Sequence, residues 1–240
     1  MSTPPAPRIS VTAARCIEAY GGESLWRGAS AVEATVSSGG FALRSKFRRG
    51  LRSARVRVDL AGPHVTVLPA DGHGNAGIFD NSDVRIETPD GHVVRARSDP
   101  RRLFPGGRRL LWWDALDEMY FGGYALWNYL TLPALLLRDD IDWQEVQPGT
   151  LEAVFPKHLP THCERQRFHI DMDTGLLRQH DYTAEVFGGW AKAAHVVLEH
   201  ALNGETPFPS RRRVTPRRGD GTPRPWPVLV WIEVRDWRLC

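Results

Sequence analysis

The stretch Trp112–Leu137, WWDALDEMYFGGYALWNYLTLPALLL, decides the fold. Its last eighteen residues, Tyr120–Leu137, carry no charge and are rich in aromatic side chains. A segment this apolar either crosses a membrane or is surrounded by its own protein. A spanning helix needs about 20 predominantly apolar residues, and an interior Pro costs a helix about 3 kcal/mol and a Gly about 1. Because the segment contains Gly122-Gly123 and Pro133, we predict no integral membrane span, but one or two helices buried at about 111–138.

The segments on both sides of this stretch alternate apolar and polar residues with a period of two, which predicts strands with one buried face. The predicted strands cover 32–36, 41–48, 55–60, 84–87, 92–97, 151–155, 165–170, 176–186, 194–202, 211–215 and 228–237. Asp173-Thr174-Gly175 predicts a hairpin between two of them. Near the start, Val11, Ala14 and Ile17 recur at helical spacing before Gly21-Gly22, which predicts a helix over 10–20 and a stop after it.

These elements predict a mainly β fold with few α-helices. A sheet of so many strands twists and curls rather than staying flat, and its apolar face must be covered. The central helical segment is the element apolar enough to cover it. We therefore predict a curled antiparallel sheet of about eleven strands, forming a half-open barrel over a central helical plug. The domain organisation that follows is a loose N-terminus at 1–9 and a single domain at 10–240.

Composition narrows the class of protein. Of the 240 residues, 42% are hydrophobic, which is enough for a sizeable core, and 25% are charged, which favours a soluble globular chain over a disordered one. A net charge of +3 is small for a dedicated nucleic-acid binder, so we predict no nucleic-acid partner. The three cysteines form no metal spacing and no even disulfide set, and Met1–Cys16 has no basic and apolar leader. We therefore predict a reduced, cytoplasmic protein. The oligomeric state stays open.

Several short motifs add a resemblance to the order of elements. They are Gly21-Gly22 with Leu25-Trp26, Trp113-Asp114, Tyr120-Phe121 with Tyr124 and Trp127-Asn128-Tyr129, Thr161-His162-Cys163, and Arg178 with His180-Asp181-Tyr182. With these motifs the chain resembles the bacterial lipoprotein-carrier fold, an open antiparallel half-barrel with helices against its concave face. More closely, it resembles an uncharacterised bacterial cytosolic family of that architecture, from about Ala13 to Val214. The resemblance implies a hydrophobic acyl or lipid ligand. The missing signal sequence departs from the carriers, so a periplasmic shuttle role does not carry over.

The first functional hypothesis is a binding module for a hydrophobic small molecule, polyketide-, terpenoid- or acyl-like, held between the sheet and the central helix. The predicted ligand-binding residues are Trp113, Tyr120, Tyr124, Trp127, Asn128, Thr131 and His162. Tyr124, Asn128 and Thr131 are spaced i, i+4, i+7 and form a polar stripe on one helix face. Such a stripe meets either a ligand or backbone groups of the sheet. Tyr120 and Trp127 lie nearer the opposite side, and their alternative role is packing in the core.

The second hypothesis is a cofactor-independent enzyme, a cyclase, isomerase or hydrolase of such a ligand. In the strand 176–186, His180 and Tyr182 are two residues apart and point the same way as Arg178, which suits an acid/base pair on a cavity wall. The alternative is a solvent-facing position, or a core position for Tyr182. Asp114 lies among Trp and Leu residues, where burial would raise its pKa and make it the third catalytic candidate. Its alternative role is the N-cap of the helix that follows.

Weaker signals remain. Cys163 is a candidate nucleophile, but it needs a distant histidine because its neighbour His162 points to the opposite face of a strand. Nine histidines raise the possibility of a metal site, but no HxxxH or HExxH spacing occurs, and no Gly-rich phosphate loop is present, so we predict neither metal nor cofactor. The arginines of 211–218 suit phosphate binding or, as the favoured interpretation, a solvated edge strand and loop. Trp and Arg side chains also suit a third class, a peripheral membrane protein.

Overall fold

The computed structural model describes residues 9–240, which form one open antiparallel sheet with helices on its concave side. The strands are β1 Ala31–Gly39, β2 Ala54–Asp59, β3 His64–Leu68, β4 Ala76–Asp80, β5 Asp83–Glu87, β6 Val93–Arg97, β7 Asp142–Gln147, β8 Thr150–Val154, β9 Arg165–Ile170, β10 Leu177–Thr183, β11 Lys192–Asn203, β12 Thr206–Pro216 and β13 Val230–Leu239. The helices are α1 Val11–Ala19, α2 Glu23–Gly28, α3 Phe41–Arg44, α4 Ala115–Leu130 and α5 Leu132–Leu136, with short 3-10 helices at Pro100–Leu103, Gly107–Leu110 and Glu185–Phe187.

The sheet has the order β6-β5-β4-β3-β2-β1-β13-β12-β11-β10-β9-β8-β7. All but one of the neighbouring pairs are consecutive along the chain, and the pair β1–β13 joins the two halves. The outer strands β6 and β7 do not pair with each other, so the curled sheet stays open. This confirms the predicted mainly β half-barrel, with thirteen strands rather than about eleven.

Helix α4 covers the concave face and packs on β2 to β5. It comes close to the sheet because Gly123 has no side chain: a Cβ there would lie 2.4 Å from Phe79. The helical segment breaks after Leu130, and α5 begins at Leu132 with Pro133 in its first turn, where the missing N–H costs nothing. Within residues 9–240, none of the helices has the length and apolar character that a membrane crossing requires.

The start of α4 is fixed by charge. Asp114 is the N-cap and forms a capping box with Asp117. Asp117 is fully buried and accepts hydrogen bonds from Arg97 at 2.6 Å, Arg108 at 2.7 Å and Arg109 at 2.8 Å. Burial alone would raise the pKa of Asp114, but the hydrogen bond from Arg97 and the backbone N–H of Asp117 lower it overall. The raised pKa expected for Asp114 is therefore wrong, because guanidinium groups surround it.

Three local predictions are wrong. The predicted strand at 41–48 is the short helix α3 and a turn. It follows Gly40, whose φ of +133° brings its backbone against the carbonyl of Leu229. Arg178 does not share a face with His180, because a β-bulge between Leu177 and Gln179 turns it outward. The stretch 211–215 is no solvated edge, because β12 lies between β11 and β13. The loose N-terminus predicted at 1–9 lies outside the described residues, apart from Ile9.

Candidate functional site

An apolar cavity lies between α4 and the concave face of the sheet. The space inside it that a small molecule can occupy is about 80 Å³, and the cavity opens to solvent. The residues that line it are Ser38, Leu43, Gly50, Leu51, Val67, Ala70, Ile86, Ala115, Glu118, Met119, Phe121, Gly122, Ala125, Leu126, Tyr129, Val230 and Ile232. Most are aliphatic or aromatic, so the cavity suits an apolar molecule. At Gly122, an added Cβ would meet no atom within 4 Å, so this position of α4 faces open space.

One charged side chain lines the cavity. Glu118 accepts a hydrogen bond from Arg48 at 2.6 Å and another from the backbone N–H of Gly50 at 3.1 Å. The side chains of Glu118 and Arg48 keep 18% and 26% of their exposure, so the pair lies close to solvent. A partly exposed ion pair at the rim leaves the deeper wall apolar.

A cluster of buried polar rings begins at the inner end of the cavity. Tyr129 lines the cavity, and its hydroxyl lies 2.6 Å from His162 Nε2 and 2.6 Å from the Tyr182 hydroxyl. The rings of His162 and Tyr182 stack with centroids 3.7 Å apart. Helix α4, the loop before β9 and strand β10 each supply one of these side chains. The predicted residues His162 and Tyr182 are therefore brought together by Tyr129, to which the sequence had assigned no role.

The second predicted catalytic residue of β10 lies in the same cluster. His180 Nε2 is 2.6 Å from Gln166 Oε1, and the imidazole stacks on Phe168 with centroids 4.1 Å apart. The bulge that turns Arg178 outward leaves both His180 and Tyr182 buried. The pair therefore shares a buried face, as the spacing predicted.

His195 was missed by the sequence interpretation. It pairs with His180 across β10 and β11, and its ring lies edge-on to Tyr129 with centroids 4.2 Å apart. Both of its ring nitrogens are buried without a hydrogen-bond partner in the described part of the chain. The register of two distant strands creates this contact, and the sequence carried no local signal for it beyond an inward position on β11.

Burial keeps the whole cluster neutral. It lowers the pKa of His162, His180 and His195 well below 6.5, because the charged imidazolium loses its hydration. It also raises the pKa of Tyr129 and Tyr182 above the ordinary value near 10. At neutral pH the rings can therefore exchange hydrogen bonds, but none of them carries charge.

The predicted polar stripe of α4 is buried but poorly satisfied. The Tyr124 hydroxyl and both polar atoms of the Asn128 amide have no hydrogen-bond partner among the described residues. Thr131 donates to the carbonyl of Trp127 at 2.6 Å. Since buried polar groups are nearly always paired in folded proteins, the unpaired atoms of Tyr124 and Asn128 mark a place where water or a ligand can bind.

The other predicted site residues lie in packed surroundings. Trp113 donates to the carbonyl of Arg109 at 3.0 Å, and Trp127 donates to that of Asp59 at 3.2 Å. Tyr120 packs against the rings of Phe79 and Phe104. Asp114 lies apart from the ring cluster, in the arginine network at the start of α4.

Cys163 is not an activated nucleophile, and no metal centre is apparent in the described chain. Cys163 donates to the carbonyl of Arg165 and accepts from the N–H of Thr183, and burial raises the pKa of its thiol to about 11. It is therefore held as the protonated thiol, which is the poor nucleophile. Within residues 9–240, no group of three His, Cys, Asp or Glu side chains is placed to hold a metal ion.

The fold has known structural counterparts. A LolA superfamily protein from Nitrosomonas europaea superposes with a TM-score of 0.51 at 12% identity, covering 96% of this chain and 94% of the other. A DUF1329 family protein from Desulfovibrio piger gives a TM-score of 0.49 at 15% identity, with 96% and 92% covered. An outer membrane lipoprotein-sorting protein domain from Vibrio parahaemolyticus gives 0.47 at 12% identity, with 95% and 90% covered. No protein-family model matches the chain, and neither does a curated protein.

These findings confirm the predicted resemblance to the lipoprotein-carrier fold, as a likeness of fold. The predicted cytoplasmic location is contradicted, because the counterpart with a TM-score of 0.51 belongs to the LolA superfamily, whose fold is that of the periplasmic carriers. The prediction of a reducing compartment from the three cysteines was wrong for a physical reason. Cys16 and Cys163 are buried free thiols, and a buried thiol can stay unpaired in an oxidising compartment too.

Proposed function

We propose that this protein binds a hydrophobic small molecule in the cavity between α4 and the sheet. The observation that carries the proposal is the apolar cavity itself, with its open mouth and its space beside Gly122. Apolar surface left in contact with water costs about 25 cal/mol per Å². A ligand that covers the wall recovers that free energy, and the ion pair of Glu118 and Arg48 stays at the rim.

The dimensions favour a flexible or narrow ligand. The accessible volume of about 80 Å³ fits a short segment of an acyl or isoprenoid chain, and the open mouth leaves the rest of the molecule at the surface. This volume is below the range of about 300–1,000 Å³ typical of small-molecule sites, which favours a ligand that is only partly enclosed. A polyketide-, terpenoid- or acyl-like compound meets these requirements.

Filling the cavity from within tests the proposal. In Gly122→Leu the new side chain points into the open space of the wall, and we expect the affinity for decan-1-ol, measured by titration calorimetry, to fall at least tenfold. The matched control is Gly28→Leu, because Gly28 lies on an exposed turn of α2 and also has no atom within 4 Å of an added Cβ. Equal binding by both variants and the unmodified protein would contradict a site beside Gly122.

The buried rings at the inner end of the cavity support a second candidate, a cofactor-independent cyclase, isomerase or hydrolase. Its acid/base groups would be His180 and Tyr182, reached from the cavity through Tyr129. The two candidates are distinguished by the binding and the turnover of a ligand released from the purified protein, measured for the unmodified protein and for His180→Ala. A binding module keeps most of its affinity and shows no turnover in either form, whereas an enzyme converts the ligand and loses that turnover in the variant. Asp114, held by Arg97 and Arg108, serves helix stability in both accounts.

A further inference from the structure

Arg212 is a buried cation without an acid beside it. It lies on the interior strand β12, and its side chain is 2% exposed. One guanidinium nitrogen donates to the backbone carbonyl of Tyr129 at 2.8 Å, while Nε has no partner in the described part of the chain. Within residues 9–240, no carboxylate lies within salt-bridge distance of it, although its exposed neighbour Arg211 pairs with Glu199 at 3.2 Å.

Such an arrangement is costly without a counter-ion. A buried charge loses its hydration, which costs several kcal/mol per ion, and charges buried in proteins are normally paired. Burial lowers the pKa of Arg212 to about 10. The guanidinium therefore still carries its full charge at neutral pH, and one neutral carbonyl and the face of the Tyr129 ring at 5.7 Å are its compensation.

Arg212 faces a second, smaller pocket of about 20 Å³, roughly the space of one or two water molecules. The pocket is lined by Tyr20, Trp26, Tyr129, Leu130, Leu132, Pro133, Leu177, Pro207, Phe208, Pro209, Arg212 and Trp237. Arg212 is the one charged residue in this lining. Its other walls are aromatic and aliphatic, so the guanidinium is the charged group that an anion in this pocket would meet.

Tyr129 lies between this pocket and the proposed ligand cavity, since it lines both. Its carbonyl binds Arg212, and its hydroxyl lies in the ring cluster. A ligand with an apolar chain in the larger cavity and a small polar end near Tyr129 would bring that end toward Arg212.

We propose that Arg212 is an anion-binding residue and that the natural ligand is an amphiphile whose small oxyanion headgroup, a carboxylate, pairs with its guanidinium. The assignment rests on the proposed function and names the chemical class of its ligand. A carboxylate matches the planar fork of an arginine by accepting two parallel hydrogen bonds, and the volume of the small pocket suits a headgroup of that size.

The test compares decanoate with decan-1-ol, which have the same chain and differ in the charge of the headgroup. One charge-assisted hydrogen bond contributes about tenfold or more in affinity, so we expect decanoate to bind to the unmodified protein at least tenfold more tightly. In Arg212→Gln, which keeps an N–H donor for the Tyr129 carbonyl, that preference should fall below about twofold while decan-1-ol binds as before. Arg213→Gln is the matched control, because Arg213 is exposed on the same strand and should keep the preference.

Each possible outcome either supports or overturns a stated part of the inference. Equal binding of the two probes by the unmodified protein overturns the anion site and leaves the apolar cavity intact. A preference that survives in Arg212→Gln overturns the assignment to Arg212. Failure of both probes to bind overturns the proposed function, and with it this inference. If Arg212→Gln does not fold, Arg212→Lys takes its place. It keeps the charge and loses the planar fork, so the preference for decanoate should shrink; an unchanged preference overturns the assignment to the guanidinium.

Discussion

At the scale of single residues, two tyrosines of α4 allow the contribution of hydrogen bonding to stability to be distinguished from that of packing. Tyr124 and Tyr129 are both buried, and both lie against the ring of His162. The hydroxyl of Tyr129 bonds to His162 and Tyr182, whereas that of Tyr124 has no partner among the described residues. Removing each hydroxyl therefore has a different effect on stability, although the change in volume is the same.

Tyr129→Phe leaves His162 Nε2 and the Tyr182 hydroxyl buried and unpaired. An unsatisfied buried polar group costs about 1–3 kcal/mol. With two such groups, we expect the free energy of unfolding, measured in urea, to fall by about 2–6 kcal/mol. Tyr124→Phe is the matched control and should leave the free energy of unfolding unchanged or raise it, because it removes a buried hydroxyl that has no hydrogen-bond partner among the described residues. If the two variants lost the same stability, the Tyr129 hydrogen bonds would not be what holds the cluster.

At the scale of elements, α4 depends on the charges at its start. The carboxylate of Asp117 is fully buried among three arginines, while the side chain of Asp114 keeps 18% of its exposure. The capping box uses both acids. Since α4 forms one wall of the proposed binding cavity, its anchoring also fixes the shape of that wall.

Asp117→Asn keeps the shape of the side chain and removes the charge that compensates three guanidinium groups. Breaking a buried ion pair on one side costs about 3–5 kcal/mol, and we expect a loss toward the lower end of that range because Arg108 is partly exposed. Asp114→Asn should cost less than Asp117→Asn, since Asn is as good an N-cap as Asp and the ion pairs with Arg97 and Arg108 that it loses are partly exposed. Thermal unfolding of the two variants checks this. A larger loss in Asp114→Asn would contradict the assignment of Asp117 as the main anchor.

The elements that the sequence predicted are those with an unambiguous period. Nearly every long strand was found, as was the helix 10–20, because alternation and helical spacing depend on one buried face. The strands His64–Leu68, Ala76–Asp80 and Asp142–Gln147 were missed. All three are short, the second contains Gly77, and the third is mostly polar and exposed. The helix Phe41–Arg44 was taken for a strand because four residues are too few to show a helical period.

The candidate site was predicted in part for a related reason. His180 and Tyr182 are neighbours on one strand, so their spacing was visible in the sequence. Tyr129, His195 and Arg212 come from other elements, and only the order and register of the strands bring them to the same place. Arg212 was hidden in a run of three arginines, of which the middle one turns inward because side chains alternate between the two faces along β12.

At the scale of the whole molecule, three distant segments bring His162, His180 and His195 into one buried cluster. Burial holds the pKa of each well below 6.5 in the native protein, whereas in the unfolded chain each titrates near 6.5. Below that pH the unfolded chain takes up protons that the native protein excludes. Stability is therefore fully present above about pH 6.5 and is lost as the pH falls below it.

Below pH 6.5, each of these three histidines lowers the free energy of unfolding by about 1.4 kcal/mol per pH unit. We therefore expect the free energy of unfolding in urea to fall by about 4 kcal/mol between pH 7.5 and 5.5, with His200, whose pKa burial lowers to about 4, acting in the same direction. His195→Leu should reduce the loss by about a third. The exposed substitution His73→Gln is the control. A free energy of unfolding that stays constant over this range would contradict a neutral, buried cluster.

The central claim is that the protein holds a hydrophobic small molecule between α4 and the curled sheet. Mass spectrometry of the freshly purified protein, first native and then denatured, tests it most directly. The account predicts a native mass above that of the chain and release of an apolar compound on denaturation, with less of it from Gly122→Leu than from Gly28→Leu. A native mass equal to that of the chain, unchanged after incubation with decan-1-ol and decanoate, would contradict it.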